Sequence, residues 1–272
     1  MKKNKRYLVP NDYMADPAVH VFEGKLYIYP SHDWESGIAE NDNGDHFNMK
    51  DYHVFSLEDV MEGEVTDHGM VLDTQDIPWA GRQLWDCDVT EKDGKYYMYF
   101  GGLWGGQLQR YRNNKALESA ILPEGEEEAL PARVARLRED MLEFAEAPRA
   151  VVILDENSNP LKAEDNERRF FEASWMHKYN GKYYFSYSTG DTHRLCYAIG
   201  DHPYGPFTYQ GVILTPVVGW TTHHAIVEYK GKWYLFHHDS VPSGGKTWLR
   251  SLKVCELEYD EEGRILTIEG MD

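Results

Sequence analysis

The sequence is short of cysteine and of positive charge, and it has no long apolar run. Cysteine occurs only at Cys87, Cys196 and Cys255. An odd, widely spaced set excludes a disulfide framework, and no CxxC pair offers a thiolate zinc site. Buried thiols in a reducing cytoplasm are expected. Lys and Arg number 28 against 46 Asp and Glu, a formal charge of −18 over 272 residues. Such a surface repels phosphate backbones and anionic lipid, which excludes nucleic acid and membranes as main partners. No apolar stretch approaches the roughly 20 residues of a membrane span. The basic start Met1-Lys2-Lys3-Asn4-Lys5-Arg6 has no apolar continuation, because Tyr7-Leu8-Val9 runs into Pro10-Asn11-Asp12. No export signal is read there, and a cytoplasmic location is expected.

What is present is a repeat. Val21-Phe22-Glu23-Gly24-Lys25-Leu26-Tyr27 returns as Glu91-Lys92-Asp93-Gly94-Lys95-Tyr96-Tyr97. It returns again as Lys178-Tyr179-Asn180-Gly181-Lys182-Tyr183-Tyr184, and as Glu228-Tyr229-Lys230-Gly231-Lys232-Trp233-Tyr234. Each reads strand, tight turn, strand, with Gly supplying the positive φ of a two-residue hairpin. The last interval, roughly 50 residues, has room for about four strands, one propeller blade. Repeated hairpins at this spacing predict a radial all-β architecture over residues 1–272 as a single domain. With 42% hydrophobic residues, 19 Tyr and 8 Trp, the chain can fill a core. It can also line a cleft with aromatic faces that stack on sugar rings.

One stretch departs from the β pattern. Over residues 115–147, Val134, Leu137, Met141, Leu142 and Phe144 give an amphipathic stripe closed by Pro148, which predicts a helical insertion. Such an insert would decorate the surface, wall one side of a cleft, or form a homo-oligomer contact.

The residues ahead of each hairpin are the informative ones. Asp16 stands before Gly24, Asp88 before Gly94, Glu172 before Gly181 and His223 before Gly231. The innermost strand of each propeller blade lines the central channel, so carboxylates from separate blades are expected to share a cavity. Crowded carboxylates have their pKa values pushed apart. One then serves as acid and another as base, the pairing that glycoside hydrolysis requires. A single Asp or Glu at a strand start is usually a turn cap; the recurrence at one phase of a repeat is what points to chemistry.

These residues resemble glycoside hydrolase family 43, the five-bladed β-propeller β-xylosidases and α-L-arabinofuranosidases. The likeness rests on Ala15-Asp16-Pro17 with Tyr29-Pro30-Ser31-His32-Asp33, and on Asp88-Val89 ahead of a Gly-Lys-Tyr-Tyr hairpin. It rests also on Phe170-Phe171-Glu172-Ala173, and on His223-His224-Ala225-Ile226-Val227 ahead of Gly231-Lys232-Trp233-Tyr234. The resemblance implies Asp16 as general base, Glu172 as general acid, and Asp88 as the residue that sets the acid's pKa and orientation. It implies calcium or another divalent cation near the channel axis at His223, with His224 the competing choice because strand alternation turns only one of the two inward. It places Asp33, Trp85, His224 and Arg250 on the substrate side. Arg250 in a surface ion pair, and Trp79, Trp85 and Trp104 as core packing, are the alternatives.

The activity implied is inverting hydrolysis of terminal xylose or arabinose from xylan-derived oligosaccharides, with the two carboxyl groups roughly 6.5–9.5 Å apart. Arabinanase or galactanase action on the same scaffold, or a non-catalytic carbohydrate-binding propeller, are the alternatives. The helical insert is a departure from the family's minimal fold.

Overall fold

The four repeats fold as the hairpins that their sequences predict. Glu23 and Gly24 have φ of 51° and 78°, Asp93 and Gly94 54° and 73°, Asn180 and Gly181 46° and 79°, Lys230 and Gly231 52° and 78°. Positive φ at both central residues is the type I′ turn, whose twist matches that of the flanking strands. The computed structural model describes residues 5–41, 43–101, 103–104, 123–220 and 222–271. Its packing divides the chain into two compact units, Met1–Ile121 with His223–Glu256, and Leu122–Thr222 with Leu257–Asp272.

In chain order the strands of the first unit's opening part are β1 (Lys5–Tyr7), β2 (Met14–Phe22), β3 (Lys25–Asp33), β4 (Met49–Leu57), β5 (Thr66–Asp73), β6 (Ala80–Arg82), β7 (Cys87–Lys92), β8 (Lys95–Phe100) and β9 (Leu103–Trp104). The second unit holds β10 (Ala132–Val134), β11 (Arg149–Val151), β12 (Ile153–Leu154), β13 (Glu172–Tyr179), β14 (Lys182–Ser188), β15 (Leu195–Gly200) and β16 (Phe207–Leu214). The chain then returns to the first unit with β17 (His224–Tyr229), β18 (Lys232–Asp239) and β19 (Ser251–Leu257).

The first unit contains two four-stranded antiparallel sheets, β2-β3-β4-β5 and β1-β19-β18-β17, and the pairs β7-β8 and β6-β9. β1, from the start of the chain, pairs with β19 near its end, Lys5 opposite Cys255, which covers a sheet edge that would otherwise stay open. Strand β2 packs against β17, β18 and β7, so strands that begin three of the repeats lie side by side. Their inward apolar residues are closed from water, among them Ala15, Val19, Ile28, Leu235 and Phe236. Burying side chains of this size contributes roughly 1.5–3 kcal/mol each.

In the second unit the sheet runs β12-β16-β15-β14-β13, with β13 at its edge. Its core is Phe185, Tyr187, Cys196, Ala198 and Phe207 with Val151, Ile153 and Leu161. All three cysteines are buried and none is in a disulfide, in line with the thiols expected.

The helix expected over 115–147 is corrected by the structure. Residues 115–122 lie outside the described residues; over 123–147 there is no helix. Ala132–Val134 is instead a strand paired with Arg149–Val151. Leu137 and Phe144 then bridge antiparallel around a turn in which Met141 has φ 65°. Glu146 accepts the Arg136 N–H at 3.0 Å and so ties the base of this turn. A helix needs a face to bury, and the stripe has none, since Leu142 and Phe144 are 76% and 60% exposed. The oligomer contact expected through that helix loses its element.

Candidate active site

Asp16 owes its position to a bulge in β2. Ala15 pairs with Ser31 and Ala18 with Tyr29, so Asp16 and Pro17 together face one residue of β3. Pro17 has no N–H for the ladder, and a bulge is where a strand tolerates it. Asp16 takes φ 51°, a left-handed conformation that costs a non-glycine residue of order 1–3 kcal/mol and tends to mark functional positions. Its N–H, released from the sheet, donates to His238 Nδ1 at 3.1 Å.

The Asp16 carboxylate is buried in a cage of donors. Arg250 Nη1 donates to both of its oxygens at 2.9 Å, and Ser31 Oγ donates to Oδ2 at 3.1 Å. Burial pushes this carboxyl up, but Arg250, His238, His223 and the Ser31 hydroxyl outweigh it and hold the group below its usual range. His238 is itself driven down to about 3, chiefly by burial and the Arg250 charge, so its Nδ1 is free of a proton and accepts the Asp16 amide.

Arg250 is anchored from behind by Asp33. Nε donates to Oδ2 at 2.8 Å and Nη2 to Oδ1 at 2.7 Å, a forked pair. The Arg250 backbone N–H adds a third bond at 2.9 Å. Burial, with the Asp16 charge adding to it, raises the Asp33 carboxyl above its usual range although Arg250 opposes that; the three Arg250 donors satisfy its oxygens. The two acids in turn raise the Arg250 guanidinium against its own burial. The expected surface ion pair is therefore a buried one, with Asp33 the partner that aims the guanidinium. The Phe47 ring lies 5.5 Å from the guanidinium carbon, and Trp85 lies 5.5 Å from Phe47. The loop before β4 that carries Phe47 is fixed by Gln83, whose amide donates to Gly44 O and Phe47 O at 2.8 Å. Trp85 is half-buried, with one face on this aromatic cluster.

Asp88, second residue of β7, has a side chain 59% exposed and pairs with His20 Nε2 at 2.6 Å. His223 keeps a little exposure, with Nε2 3.4 Å from Asp86 Oδ2, and its Nδ1 accepts the His224 N–H at 3.0 Å. His224 is fully buried. His223 is among the groups that hold the Asp16 carboxyl low.

Glu172 belongs to the second unit and stands one position before a bulge of the same form, at the place that Ala15 holds in β2. It opens β13 opposite Ser188, and Trp175 pairs with Ser186, so Ala173 and Ser174 face one residue of β14. Ala173 takes φ 60°. The bulge leaves Glu172 exposed while Ala173 turns into the core. Both proposed carboxylates thus stand at bulges near the starts of strands that pair into the repeat hairpins.

Ser31 and His238 were not singled out from the sequence as site residues. Ser31 and Asp33 share one face of β3 by strand alternation. His237-His238-Asp239 closes the fourth hairpin as Ser31-His32-Asp33 closes the first. That correspondence was the available signal.

A family model described as Glycosyl hydrolases family 43 matches residues 9–265. A xylosidase/arabinosidase of Bacteroides ovatus is 72% identical, with 100% of both chains covered. A β-xylosidase of Xylanibacter ruminicola is 57% identical over 97% of this chain and 99% of its own. Among solved structures, the β-xylosidase RS223 superposes with a TM-score of 0.91 at 65% identity, covering 99% of each chain. CoXyl43, a β-xylosidase/α-arabinofuranosidase from a compost metagenome solved with xylotriose in a calcium-free form, gives 0.89 at 49% identity, covering 99% and 98%. The radial all-β class expected from the repeats, a five-bladed propeller by the family resemblance, stands with these likenesses.

Proposed function

The chain belongs to glycosyl hydrolases family 43, a glycoside hydrolase, and from that premise we propose that it releases terminal xylose or arabinose from xylan-derived oligosaccharides by a single displacement. The observation that carries the reading is the Asp16 carboxylate, buried, held ionised and caged by Arg250 and Ser31. Ionised at neutral pH, this carboxylate is in the form that can take a proton from water. Glu172, exposed beside its bulge, is the complementary group: it protonates the glycosidic oxygen as the bond to the leaving sugar breaks. Asp88 orients the acid, Arg250 binds sugar hydroxyls, and Asp33 positions Arg250. Trp85 with Phe47 supplies an apolar wall for a ring face. His224, closed from solvent, supports His223 from beneath. The names of the relatives support the sugar. The reading is tested with aryl β-xyloside and aryl α-arabinofuranoside. Release of phenol from one or both is expected; release only from aryl galactosides, or none at all, would overturn it.

The same proposal includes a divalent cation at His223. Its Nδ1 accepts the His224 amide, and its Nε2 faces Asp86 Oδ2; this nitrogen and that carboxylate would hold the ion. A hard cation such as calcium prefers oxygen and would complete its shell with water. When bound it would supply positive charge near Asp16 that favours the carboxylate. Removal of metal by chelation should lower turnover, and calcium should restore it. Unchanged turnover after verified removal contradicts this part.

A further inference from the structure

A second set of metal-type donors lies on the other face of β3. His32, between Ser31 and Asp33, points away from Asp16 and Arg250, and its Nδ1 is 2.9 Å from Asp51 Oδ2. On β4, two residues along and on the same face, His53 Nε2 is 3.1 Å from the same oxygen. The three donor atoms lie within 4.8 Å of one another. Zinc held at about 2.0–2.1 Å by nitrogen and oxygen in a tetrahedron has ligand-to-ligand edges of roughly 3.3 Å, so small rotations of these side chains accommodate an ion.

The surroundings match what a metal site needs behind its ligands. Each ring has a carboxylate at its far nitrogen, Asp12 Oδ1 at 3.2 Å from His32 Nε2 and Asp67 Oδ1 at 3.5 Å from His53 Nδ1. The other oxygen of Asp51 accepts Trp34 Nε1–H at 2.7 Å. Carboxylates that receive the distal N–H of a ligating histidine fix its tautomer and raise its basicity. The side chains of the three donors are nearly closed from solvent, while Asp12 and Asp67, behind the rings, are 46% and 56% exposed.

We propose that His32, Asp51 and His53 bind a late first-row divalent cation of the zinc type, with Asp12 and Asp67 orienting the rings. Two imidazoles and one carboxylate select zinc, cobalt or nickel over calcium and magnesium, which take oxygen. This site is therefore distinct in chemistry and in residues from the cation at His223. On binding, the ring nitrogens facing Asp51 carry no proton, and each neutral ring keeps its N–H on the side of Asp12 or Asp67. The ion would join β3 to β4 directly behind Ser31 and Asp33, so its effect falls on rigidity rather than on the chemical step.

The test is titration of the metal-stripped full-length protein with Co²⁺ and Zn²⁺. It is read by the visible d–d spectrum of cobalt, by competition with zinc and by the shift in Tm. One cobalt in a low-symmetry N/O site, displaced by zinc, is expected, with a higher Tm in zinc. His53→Gln should weaken binding about tenfold or more, and His223→Ala should leave the spectrum unchanged. Because a variant can fail to fold, anomalous scattering at the zinc edge from crystals of the wild-type protein is the second measurement. Absence of the cobalt band, an unchanged cobalt affinity in a folded His53→Gln variant, or zinc density elsewhere than between His32, Asp51 and His53 would each show the cluster to be an ion-pair network and overturn the proposal.

Discussion

At the residue scale the account turns on two carboxyl groups held in opposite surroundings. Asp16 is buried among donors and held low; Glu172 stands in the open at the start of β13. General acid–base catalysis contributes about 10²–10⁴-fold per group, and the roles separate by leaving group. Asp16→Asn should lower kcat by about 10³-fold on xylobiose and on dinitrophenyl xyloside alike, because both need the water activated. Glu172→Gln should lose a similar factor on xylobiose but less than about tenfold on dinitrophenyl xyloside, whose phenolate leaves without a proton. Equal losses on both substrates in both variants would remove the assignment. The stability that Asp16 contributes has a defined sign. Its folded carboxyl is depressed, so the contribution is present above the unfolded value near 3.9 and is lost as pH falls through the lower folded value. Asp16 and Glu172 were legible in the sequence because each stands ahead of a repeat hairpin, and Arg250 was reached only through the family resemblance. The Arg250–Asp33 fork and the His238 acceptor were not legible, because they join β19's entrance, β3 and β18 across distances that no local pattern records.

At the scale of elements, hairpins and bulges explain where the side chains point. The turns could be read because Asp-Gly, Asn-Gly and their Glu and Lys variants have few alternatives to type I′. The helix expected over 115–147 failed for a reason of energy. A stripe of Val134, Leu137, Met141 and Phe144 has helical period, but helices persist by burying a face, and the structure spends those residues in short antiparallel bridges with Leu142 in solvent. Bulges were invisible except at Pro17, whose missing N–H announces one. The bulge at Ala173 makes a testable demand. Its φ of 60° is hard for a β-branched residue, so Ala173→Val should cost roughly 1–3 kcal/mol of stability and lower kcat by re-aiming Glu172. Ala173→Gly should keep both near wild type. Urea unfolding with kinetics on the same samples checks this, and full activity in a folded Ala173→Val variant would show that the bulge does not aim Glu172.

For the whole molecule, buried histidines set the response to acid. Burial drives His177 to about 3 and His238 to about 3. It also drives His237 to about 4, with the Lys253 charge adding to it. Each is neutral when folded and takes a proton when unfolded, so the unfolded state binds more protons between about pH 6.5 and these values. These three rings should therefore lower stability as pH drops below about 6.5, before the carboxylates titrate. His32, raised against its burial by Asp51 and Asp12, and His53, raised chiefly by its Asp51 hydrogen bond, act in the opposite direction and offset part of the loss. Relief of repulsion from the −18 net charge acts only lower, where Asp and Glu are protonated. The urea midpoint measured from pH 6.5 to 5 should decline; a flat or rising profile there would contradict a response dominated by the buried neutral rings. This feature could not be read from the sequence, since twelve histidines look alike until burial distinguishes them.

The central claim, water activated by Asp16 while Glu172 protonates the leaving oxygen, fixes the stereochemistry of the first product. Proton NMR of xylobiose hydrolysis in its opening minutes, before mutarotation, reads that directly. The account predicts that xylose released from the non-reducing end appears first as the α-anomer. Initial release of the β-anomer would mean a covalent intermediate and would contradict it.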